Sequence, residues 1–409
     1  MYYIWKAINE QWSMNLSLCM IVKNEEASLS KCLSSVKDVV DEMVILDTGS
    51  TDRTVEIARE FGAKVYHFEW CNDFSAARNY ALKYVQGKWV LVLDADEVLT
   101  PKIVPKIKQA MKSKRNLVIN LVRQEVGASQ SPYSLVSRLF RHHPDVYFSR
   151  PYHAMVDDSV QALLQREPDW QVVSLPTVAI EHYGYQPEAI ASLDKYTRAR
   201  LAMEGFLENH PNDPYVCSKL GALYVQVNQL QEGIELLDRG LSAKPLDPPV
   251  LFELHYHLGN AYTRTSNLNS AIVHYQAAIQ QPILPQLKIG AYNNLGNLLL
   301  KAGELTAAKT VYERTVKIDP SFAAGHNNLG MTLKALGQLE EAIASYQQAT
   351  KFNPEYADAY QNLGVVWLKL GKVAESLSAF KKAIALHKVH NPPEAQRLRQ
   401  GLKEMGFQV

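Results

Sequence analysis

The chain has 409 residues, 47% hydrophobic and 21% charged, which is enough for two or three globular domains. Its 43 Lys and Arg residues balance 42 Asp and Glu residues, and this balance does not indicate a general nucleic-acid or anionic-membrane binder. The four cysteines lack zinc-site spacing, and no apolar run approaches the roughly 18 residues of a membrane span. We therefore expect a cytoplasmic protein without a membrane span or a nucleic-acid partner.

Strand and helix patterns alternate through the first hundred residues. Residues 1–14 are expected to be an N-terminal extension, because ordered pattern begins only after Met14. Apolar strands are predicted at 16–22, 43–46, 63–68 and 89–93. The first two helices between them are predicted to be capped by Ser28 and by Thr51 or Asp52, and a third helix is predicted from Asp73 to about Val85. This alternation predicts a mostly parallel, Rossmann-like α/β sheet with helices on both faces.

Three acidic residues, Asp94, Asp96 and Glu97, directly follow the most apolar of these strands. A buried strand that ends in acids calls for a nearby cation, because unpaired carboxylates resist leaving water. A turn at Ala95 would aim Asp94 and Asp96 at one ion. Such hard oxygen ligands suit Mg²⁺ or Mn²⁺ carrying a diphosphate. The alternative is a strand end followed by a solvated acidic turn.

Four motifs together carry a family resemblance. They are residues 20–26 (Met-Ile-Val-Lys-Asn-Glu-Glu), 47–52 (Asp-Thr-Gly-Ser-Thr-Asp), 74–79 (Phe-Ser-Ala-Ala-Arg-Asn) and 94–97 (Asp-Ala-Asp-Glu). Their order and spacing resemble the family 2 glycosyltransferases, which have the GT-A nucleotide-sugar fold. The match is close over residues 15 to 100 and looser to about 186, and we expect a GT-A domain over 15–190.

The resemblance implies a role for each matching residue in binding a nucleotide-diphosphate sugar, most often a UDP-sugar, with Mn²⁺ or Mg²⁺. Asn24 and Glu25 would line the nucleoside pocket, Asp47 and Thr48 would contact the base and ribose, Arg78 and Asn79 would face the phosphates, and Asp94, Ala95 and Asp96 would form the DXD motif. Asp96 would be the direct metal ligand. Many family members carry a second Asp where this chain has Thr48.

Residues 123–184 correspond to the part of the family that holds the acceptor site. An inverting transfer needs a group that takes the acceptor proton during in-line attack. The candidates are Asp157 and Asp158, followed by Glu97, Glu125 and Glu181, and Asp157 is named as the base. His153 and His182 are candidate additional metal ligands, and the alternative for each is a hydrogen-bonded structural histidine. His153-Ala154 stands where a His-Glu pair is frequent in the family.

The second half of the chain contains an internal repeat. Five Leu-Gly pairs place glycines at positions 221, 259, 296, 330 and 364, at spacings of 38, 37, 34 and 34 residues. A 34-residue period with a later small residue, an aromatic residue and a proline is the tetratricopeptide (TPR) signature. We therefore predict an all-α TPR solenoid of about five repeats over 213–390, a connecting helix over 191–212 and a cap over 391–409.

Asparagines flank the Leu-Gly pairs at Asn260, Asn294, Asn297, Asn328 and Asn362. In TPR arrays these positions line the concave surface, and asparagine there resembles the ladders that hold an extended peptide by its backbone. The amide suits this task because it both donates and accepts hydrogen bonds. The alternative is that these residues cap or solvate helices.

The combination of a GT-A domain with TPR repeats is similar to that of bacterial S-glycosyltransferases of glycosylated bacteriocin peptides. The resemblance implies sugar transfer from a nucleotide-diphosphate donor to a peptide or protein by a metal-assisted inverting displacement. One alternative acceptor is a cell-surface polysaccharide or a lipid-linked glycan. A second alternative is an interaction scaffold with a decayed catalytic domain. A homodimer is compatible with both domain types.

Overall fold

The computed structural model describes residues 15–128, 131–184, 193–244 and 246–407, so the predicted extension at 1–14 lies outside the described residues. Compact packing divides the chain into two units, the first ending at Leu223 and the second beginning at Tyr224. The first unit therefore extends past residue 190, the predicted end of the catalytic domain, into the helices that follow it. Within the described ranges, no helix is long and apolar enough to cross a lipid bilayer.

The first unit contains eight strands among its described residues. They are β1 (Leu16–Val22), β2 (Glu42–Asp47), β3 (Lys64–His67), β4 (Trp89–Val92), β5 (Glu97–Leu99), β6 (Asn116–Glu125), β7 (Tyr133–Arg141) and β8 (Gln171–His182). The helices are α1 (Leu29–Val36), α2 (Thr54–Glu60), α3 (Phe74–Leu82), α4 (Val104–Met111), α5 (Asp157–Arg166), α6 (Leu193–Asn209) and α7 (Pro214–Gln226). Each of the four predicted strands is present, with ends that differ by up to one residue at either side.

The strands form one mixed sheet in the order β3-β2-β1-β4-β7-β6-β8-β5. The first four strands in this order are mutually parallel, as the strand-helix alternation predicts. Strand β7 runs antiparallel to both β4 and β6, and β5 runs antiparallel to β8. The sheet is therefore parallel on the side that holds the predicted nucleotide motifs and mixed on the side that holds the predicted acceptor region.

Alternation along the central strands fills the two faces of the sheet. Leu18, Met20 and Leu91 pack with α1 on one face, and Cys19 and Val90 pack with α3 on the other. Because these strands are covered on both faces, their side chains are apolar at nearly every position, which explains the continuous apolar runs in the sequence.

The structure bears on the two predicted helix caps and adds a third cap at Asp73. Asp73 accepts a hydrogen bond from the backbone N–H of Ala76 and caps α3. The Asp52 carboxylate accepts from the backbone N–H of Thr54, the first residue of α2. The prediction that the Ser28 side chain caps α1 is wrong, because its hydroxyl instead donates to the Glu25 carboxylate at 2.6 Å.

Paired helices make up the second half of the chain. They are α8 (Leu230–Ser242), α9 (Pro248–Arg264), α10 (Leu268–Ile279), α11 (Ile289–Lys301), α12 (Leu305–Ile318), α13 (Ala323–Ala335), α14 (Leu339–Phe352), α15 (Ala357–Lys369), α16 (Val373–His390) and α17 (Pro392–Glu404). A mixed α/β sheet followed by TPR-like helix pairs confirms the predicted fold class.

The recurring glycines have a packing role. A Cβ atom on Gly259, Gly296 or Gly330 would lie within 2.6–2.7 Å of a tyrosine ring on the second helix of the same pair. The tyrosines, Tyr275, Tyr312 and Tyr346, are among the largest fully buried side chains. Each of these glycines therefore marks the point at which the backbone of the first helix packs directly against a tyrosine ring of the second helix, where a larger residue would not fit.

Candidate active site

The carboxyl ends of the parallel strands β1, β2 and β4 lie at one edge of the sheet, where ligands bind in open α/β folds. At the tip of β1, Asn24 adopts a positive φ of 56°, which is uncommon for a residue with a side chain. Its backbone N–H donates to the Ser50 hydroxyl, and its side-chain amide oxygen Oδ1 accepts from the backbone N–H of Thr51. Glu25 donates its backbone N–H to the Thr54 hydroxyl at 2.7 Å. Asn24 and Glu25 thus join the β1 and β2 loops.

Asp47 and Thr48, the predicted base and ribose contacts, are both buried at the tip of β2. The Asp47 carboxylate accepts from the backbone N–H groups of Gly49 and Ser50 and lies 3.3 Å from the His67 ring. The Thr48 hydroxyl donates to the carbonyl of Val22. Both side chains therefore shape the loop itself, and a contact with the base or ribose stays a prediction.

Asp94 is held by two buried arginines. Arg78 Nη2 lies 2.7 Å from Asp94 Oδ1, and Arg138 Nη2 lies 2.8 Å from Asp94 Oδ2. The Arg78 side chain is 8% exposed and that of Arg138 is 16% exposed. Burial alone would raise the pKa of Asp94, but Arg138 and Arg78 hold it well below its usual value. Asp94 is therefore an anion that fixes two cations at the end of β4.

The two arginines exceed the charge of Asp94 by one unit. Arg78 Nη1 is buried and donates no hydrogen bond within the described residues. The excess positive charge of these two arginines would favour an anion at this end of the sheet, because guanidinium groups bind anions by charge-assisted hydrogen bonds. Its neighbour Asn79, in contrast, uses both ends of its amide on the backbone of Phe148, at 2.8 and 2.7 Å. Asn79 fixes that loop, and its predicted phosphate contact stays a prediction.

Asp96, two residues on, has a different environment. Its carboxylate is 36% exposed, and Oδ2 lies 3.2 Å from Nε2 of His182. The other ring nitrogen of His182, Nδ1, lies 2.5 Å from Oε2 of Glu125. Burial lowers the pKa of His182, but the hydrogen bonds with Asp96 and Glu125 outweigh it and raise this pKa to about 9. The structure thus joins Asp96 and His182, which the sequence analysis named separately.

Asp96 and His182 fit one divalent cation. The Asp96 carboxylate and His182 Nε2 face the same point, and the Glu125 carboxylate contacts the other ring nitrogen, as is usual for metal-binding histidines. A Cβ atom on Gly184 would collide with Asp96 Oδ2 and lie 2.6 Å from His182 Nε2, so glycine keeps this corner open. No group of three or more potential ligands occurs among the residues described. Such a site would be completed by donor phosphates and water, as Mg²⁺ sites commonly are.

His153, the other candidate ligand, lies in the loop before α5. It adopts a φ of 52° and packs its ring edge-on against Tyr152. Metal binding by His153 stays a prediction. Phe74, the first residue of α3, donates its backbone N–H to the carbonyl of Pro151 and anchors this loop beside the candidate site.

The two candidate bases differ sharply in their partners. Asp157 Oδ1 accepts from the Ser137 hydroxyl at 2.8 Å, and burial raises the pKa of Asp157. Asp158 forms an ion pair with Arg150 at 2.8 Å and a hydrogen bond with Ser149. A carboxylate held by a cation is the poorer proton acceptor, so the structure favours Asp157.

A β-bulge holds the partners of Asp157 and Asp94 side by side on β7. The β6–β7 register shifts between Ile119 and Leu121, so that β7 gains one residue over β6. Ser137 and Arg138 lie at this bulge, where Ser137 contacts Asp157 and Arg138 contacts Asp94. Bulges frequently re-aim side chains next to active sites. The sequence analysis did not predict a role for Arg138, because the shift arises from strand pairing that has no local signature.

The asparagines of the second unit form a network between successive helix pairs. Asn294 donates to Asn260 at 3.0 Å, Asn328 donates to Asn293 at 2.9 Å, and Asn362 donates to Asn327 at 3.1 Å. Two tyrosine hydroxyls join it, from Tyr275 to Asn260 at 2.7 Å and from Tyr312 to Asn297 at 2.5 Å. The predicted ladder residues are thus linked to one another, and Asn293 and Asn327 extend the set.

Comparisons with known proteins agree with this architecture. The family profile "Glycosyl transferase family 2" matches residues 17–173, and TPR profiles match residues 293–349, 331–371 and 357–394. A TPR repeat-containing protein of Synechococcus elongatus is 45% identical over 305 residues, which are 75% of this chain and 76% of that protein.

Two further proteins resemble one half of the chain or the other. The prophage-derived glycosyltransferase SunS of Bacillus subtilis is 28% identical over 227 residues, which are 54% of this chain and 52% of SunS, so the chain spans about half of SunS. The solved structure of YrrB, a TPR protein with an unusual peptide-binding site, covers 50% of this chain and 100% of YrrB at 22% identity and a TM-score of 0.40. The chain carries a family 2 glycosyltransferase domain over residues 17–173 and TPR repeats in its C-terminal half.

Proposed function

We propose that this chain transfers a sugar from a nucleotide-diphosphate sugar, UDP being the favoured nucleotide, to a peptide or protein by an inverting displacement with Mn²⁺ or Mg²⁺. The observation that carries this proposal is the convergence of Asp96 Oδ2 and His182 Nε2 at 3.2 Å, at the sheet edge where the nucleotide motifs meet. A divalent cation bound there would neutralise the negative charge that develops on the departing nucleotide diphosphate.

The two acids of the DXD motif then have separate tasks. Asp94 holds Arg78 and Arg138, whose positive charges would lie beside the donor phosphates. Asp96, whose partly exposed carboxylate contacts His182, is available to the cation. Because Arg78 and Arg138 are buried and fixed before the donor arrives, they stabilise the leaving group without reorganisation.

Asp157 is the proposed base on the acceptor side. A new bond forms between the acceptor heteroatom and the anomeric carbon while the bond from that carbon to the diphosphate oxygen breaks on the opposite face. The acceptor proton passes to Asp157, whose pKa is raised by burial and which Ser137 keeps oriented. Attack from the face opposite the leaving group inverts the anomeric configuration.

The asparagine ladder is the proposed acceptor site. In several of these asparagines, the contacts between repeats use only the NH₂ group or only the carbonyl oxygen of the side-chain amide, and the other group has no partner among the described residues. Asn294 and Asn362 keep a carbonyl oxygen that accepts no hydrogen bond, and Asn260 and Asn297 keep an amide group that donates none. A peptide backbone presents both donors and acceptors, so it matches a surface that offers both.

A thermal-shift panel of nucleotide sugars tests the donor site, with and without Mn²⁺, on the wild type and Asp96→Asn. A ligand that binds only the folded state raises the melting temperature by mass action. We expect a Mn²⁺-dependent rise with one nucleotide class, absent in the variant. If no donor shifts the wild type, the interaction-scaffold alternative is favoured and the catalytic proposal is wrong.

Asn294→Ala combined with Asn328→Ala tests the acceptor site. The assay measures transfer from the labelled donor to a peptide retained from a random library. The double variant should raise the KM for the peptide and leave the KM for the donor unchanged. Gln348→Ala, which removes an exposed amide from the second helix of a pair, is the matched control. An unchanged peptide KM in the double variant would assign the ladder to repeat packing alone.

A further inference from the structure

We infer that Glu125 is a positioning residue that holds His182 in the one orientation that directs Nε2 towards Asp96. This inference rests on the proposed function, because it concerns how the cation site of that reaction is held. Glu125 was a candidate for the base in the sequence analysis. The structure shows both of its carboxylate oxygens engaged, which fits a positioning role instead.

Strand pairing places the participating residues in one row. Glu125 lies opposite His182 in the parallel pairing of β6 with β8. Glu97 lies opposite His182 in the antiparallel pairing of β8 with β5. Three neighbouring strands thus bring Glu125, His182 and Glu97 side by side, although Glu97 and His182 lie far apart in sequence. The register of the sheet therefore sets where the histidine stands.

Glu125 is fixed from its other side. Its Oε1 accepts from Arg123 at 2.9 Å and from the Ser134 hydroxyl at 3.2 Å. Arg123 Nη1 in turn lies 3.0 Å from Oε1 of Glu97, whose side chain is fully buried. A buried glutamate thus anchors an arginine, and the arginine anchors Glu125. With Oε1 held in this way, Oε2 can face only the Nδ1 atom of His182, 2.5 Å away.

This arrangement decides which nitrogen of His182 is available. Nδ1 keeps its proton towards Glu125 Oε2, so a bound cation would replace the proton on Nε2, the nitrogen that faces Asp96. Only a carboxylate can accept from Arg123 on one oxygen and from His182 on the other. A glutamine has a single carbonyl oxygen, which the cation Arg123 would claim, and its NH₂ group would then face the Nδ1–H of His182. Two donors in contact would force the ring to turn or to move its proton to Nε2.

The test is the affinity for Mn²⁺ in the presence of UDP, measured from the electron paramagnetic resonance signal of free Mn²⁺. We expect Glu125→Gln to weaken Mn²⁺ binding roughly 10- to 100-fold, as changes in residues that orient metal ligands commonly do. Glu181→Gln is the matched control, because its carboxylate accepts from the Tyr183 hydroxyl, two residues further along the chain, and Mn²⁺ affinity should be unchanged.

A kinetic readout separates positioning from a general structural role. In Glu125→Gln, saturating Mn²⁺ should restore most of kcat, because the ligands are still present and only their alignment is lost. If kcat stays low at saturating Mn²⁺ while the melting temperature of the metal-free variant has fallen, Glu125 stabilises the strands and the inference is wrong.

Asp96→Asn and His182→Asn distinguish failure of the inference from failure of the proposed function. If both variants lose Mn²⁺ binding while Glu125→Gln retains wild-type affinity, the inference fails and the cation site stands. If Asp96→Asn and His182→Asn both keep wild-type affinity, the cation lies elsewhere and the proposed site fails together with the inference.

Discussion

The two acids of the DXD motif should lose different amounts of stability from the same substitution. Asp94→Asn removes the charge that holds Arg78 and Arg138, two side chains that are only 8% and 16% exposed. Removing one partner from a buried ion pair costs about 3–5 kcal/mol, since it leaves a charge without compensation. Asp94 is itself 35% exposed, so water offsets part of this loss, and we expect about 2–3 kcal/mol.

Asp96→Asn should cost less than about 1 kcal/mol, because a partly exposed pair contributes little and His182 keeps its contact with Glu125. The assay is urea unfolding of both variants without metal or donor, followed by circular dichroism. Arg138→Gln alone and combined with Asp94→Asn completes a double-mutant cycle, in which a coupling free energy above about 1 kcal/mol is expected. If Asp94→Asn unfolds at the same urea concentration as the wild type, Asp94 does not hold the arginines and the division of tasks is refuted.

Three further outcomes are expected from the structure. Asp157→Asn should lower kcat roughly 10²- to 10⁴-fold in a steady-state transfer assay and leave the KM for the donor unchanged. Tyr346→Phe should keep or raise the free energy of unfolding in urea, because its buried hydroxyl has no partner among the described residues, whereas Tyr312→Phe should lower it by about 1 kcal/mol through the loss of a ladder hydrogen bond. Burial and the neighbouring His274 ring, 3.0 Å away, lower the pKa of His255 to about 4. The unfolded chain therefore binds more protons between that value and the ordinary value of 6.5, so the melting temperature should fall as pH decreases through this range, and less so in His274→Gln.

The parts of the fold that depend on local pattern could be predicted from the sequence. Apolar runs covered on both faces placed β1, β2 and β4, and the Leu-Gly period placed the helix pairs. Both patterns are visible in the sequence because equivalent positions have the same surroundings: strand residues lie under helices on both faces, and each repeat glycine lies against the partner helix. The lateral order of the strands was not predictable in this way, because the antiparallel insertion of β7 between β4 and β6 depends on packing between distant segments.

Asp94, Asp96, Arg78 and His182 could be named from the sequence, whereas Arg138 and the pairing of Glu125 with His182 could not. Asp94 and Asp96 belong to a short motif that can be recognised in the sequence. In contrast, Arg138 contacts Asp94 across 44 residues of sequence, and Glu125 contacts His182 across 57. Neither contact has a fixed spacing, since each depends on strand register and, for Arg138, on a bulge. A motif can therefore identify the acids of such a site, but it cannot tell that Asp94 faces arginines and Asp96 faces a histidine.

The asparagine ladder changes character along the repeats, and this change bears on the acceptor. After the glycine of each Leu-Gly pair, Asn260 and Asn297 are followed in the next repeats by Met331 and Val365. The Tyr346 hydroxyl consequently lacks the asparagine partner that its counterparts have, and it is buried without a hydrogen bond in the described chain. Hydrogen-bonding capacity in this column therefore ends after Asn297. If the ladder holds a peptide backbone, Met331→Asn should give the peptide one more polar contact and lower its KM, while the same substitution supplies Tyr346 with a partner and raises the melting temperature.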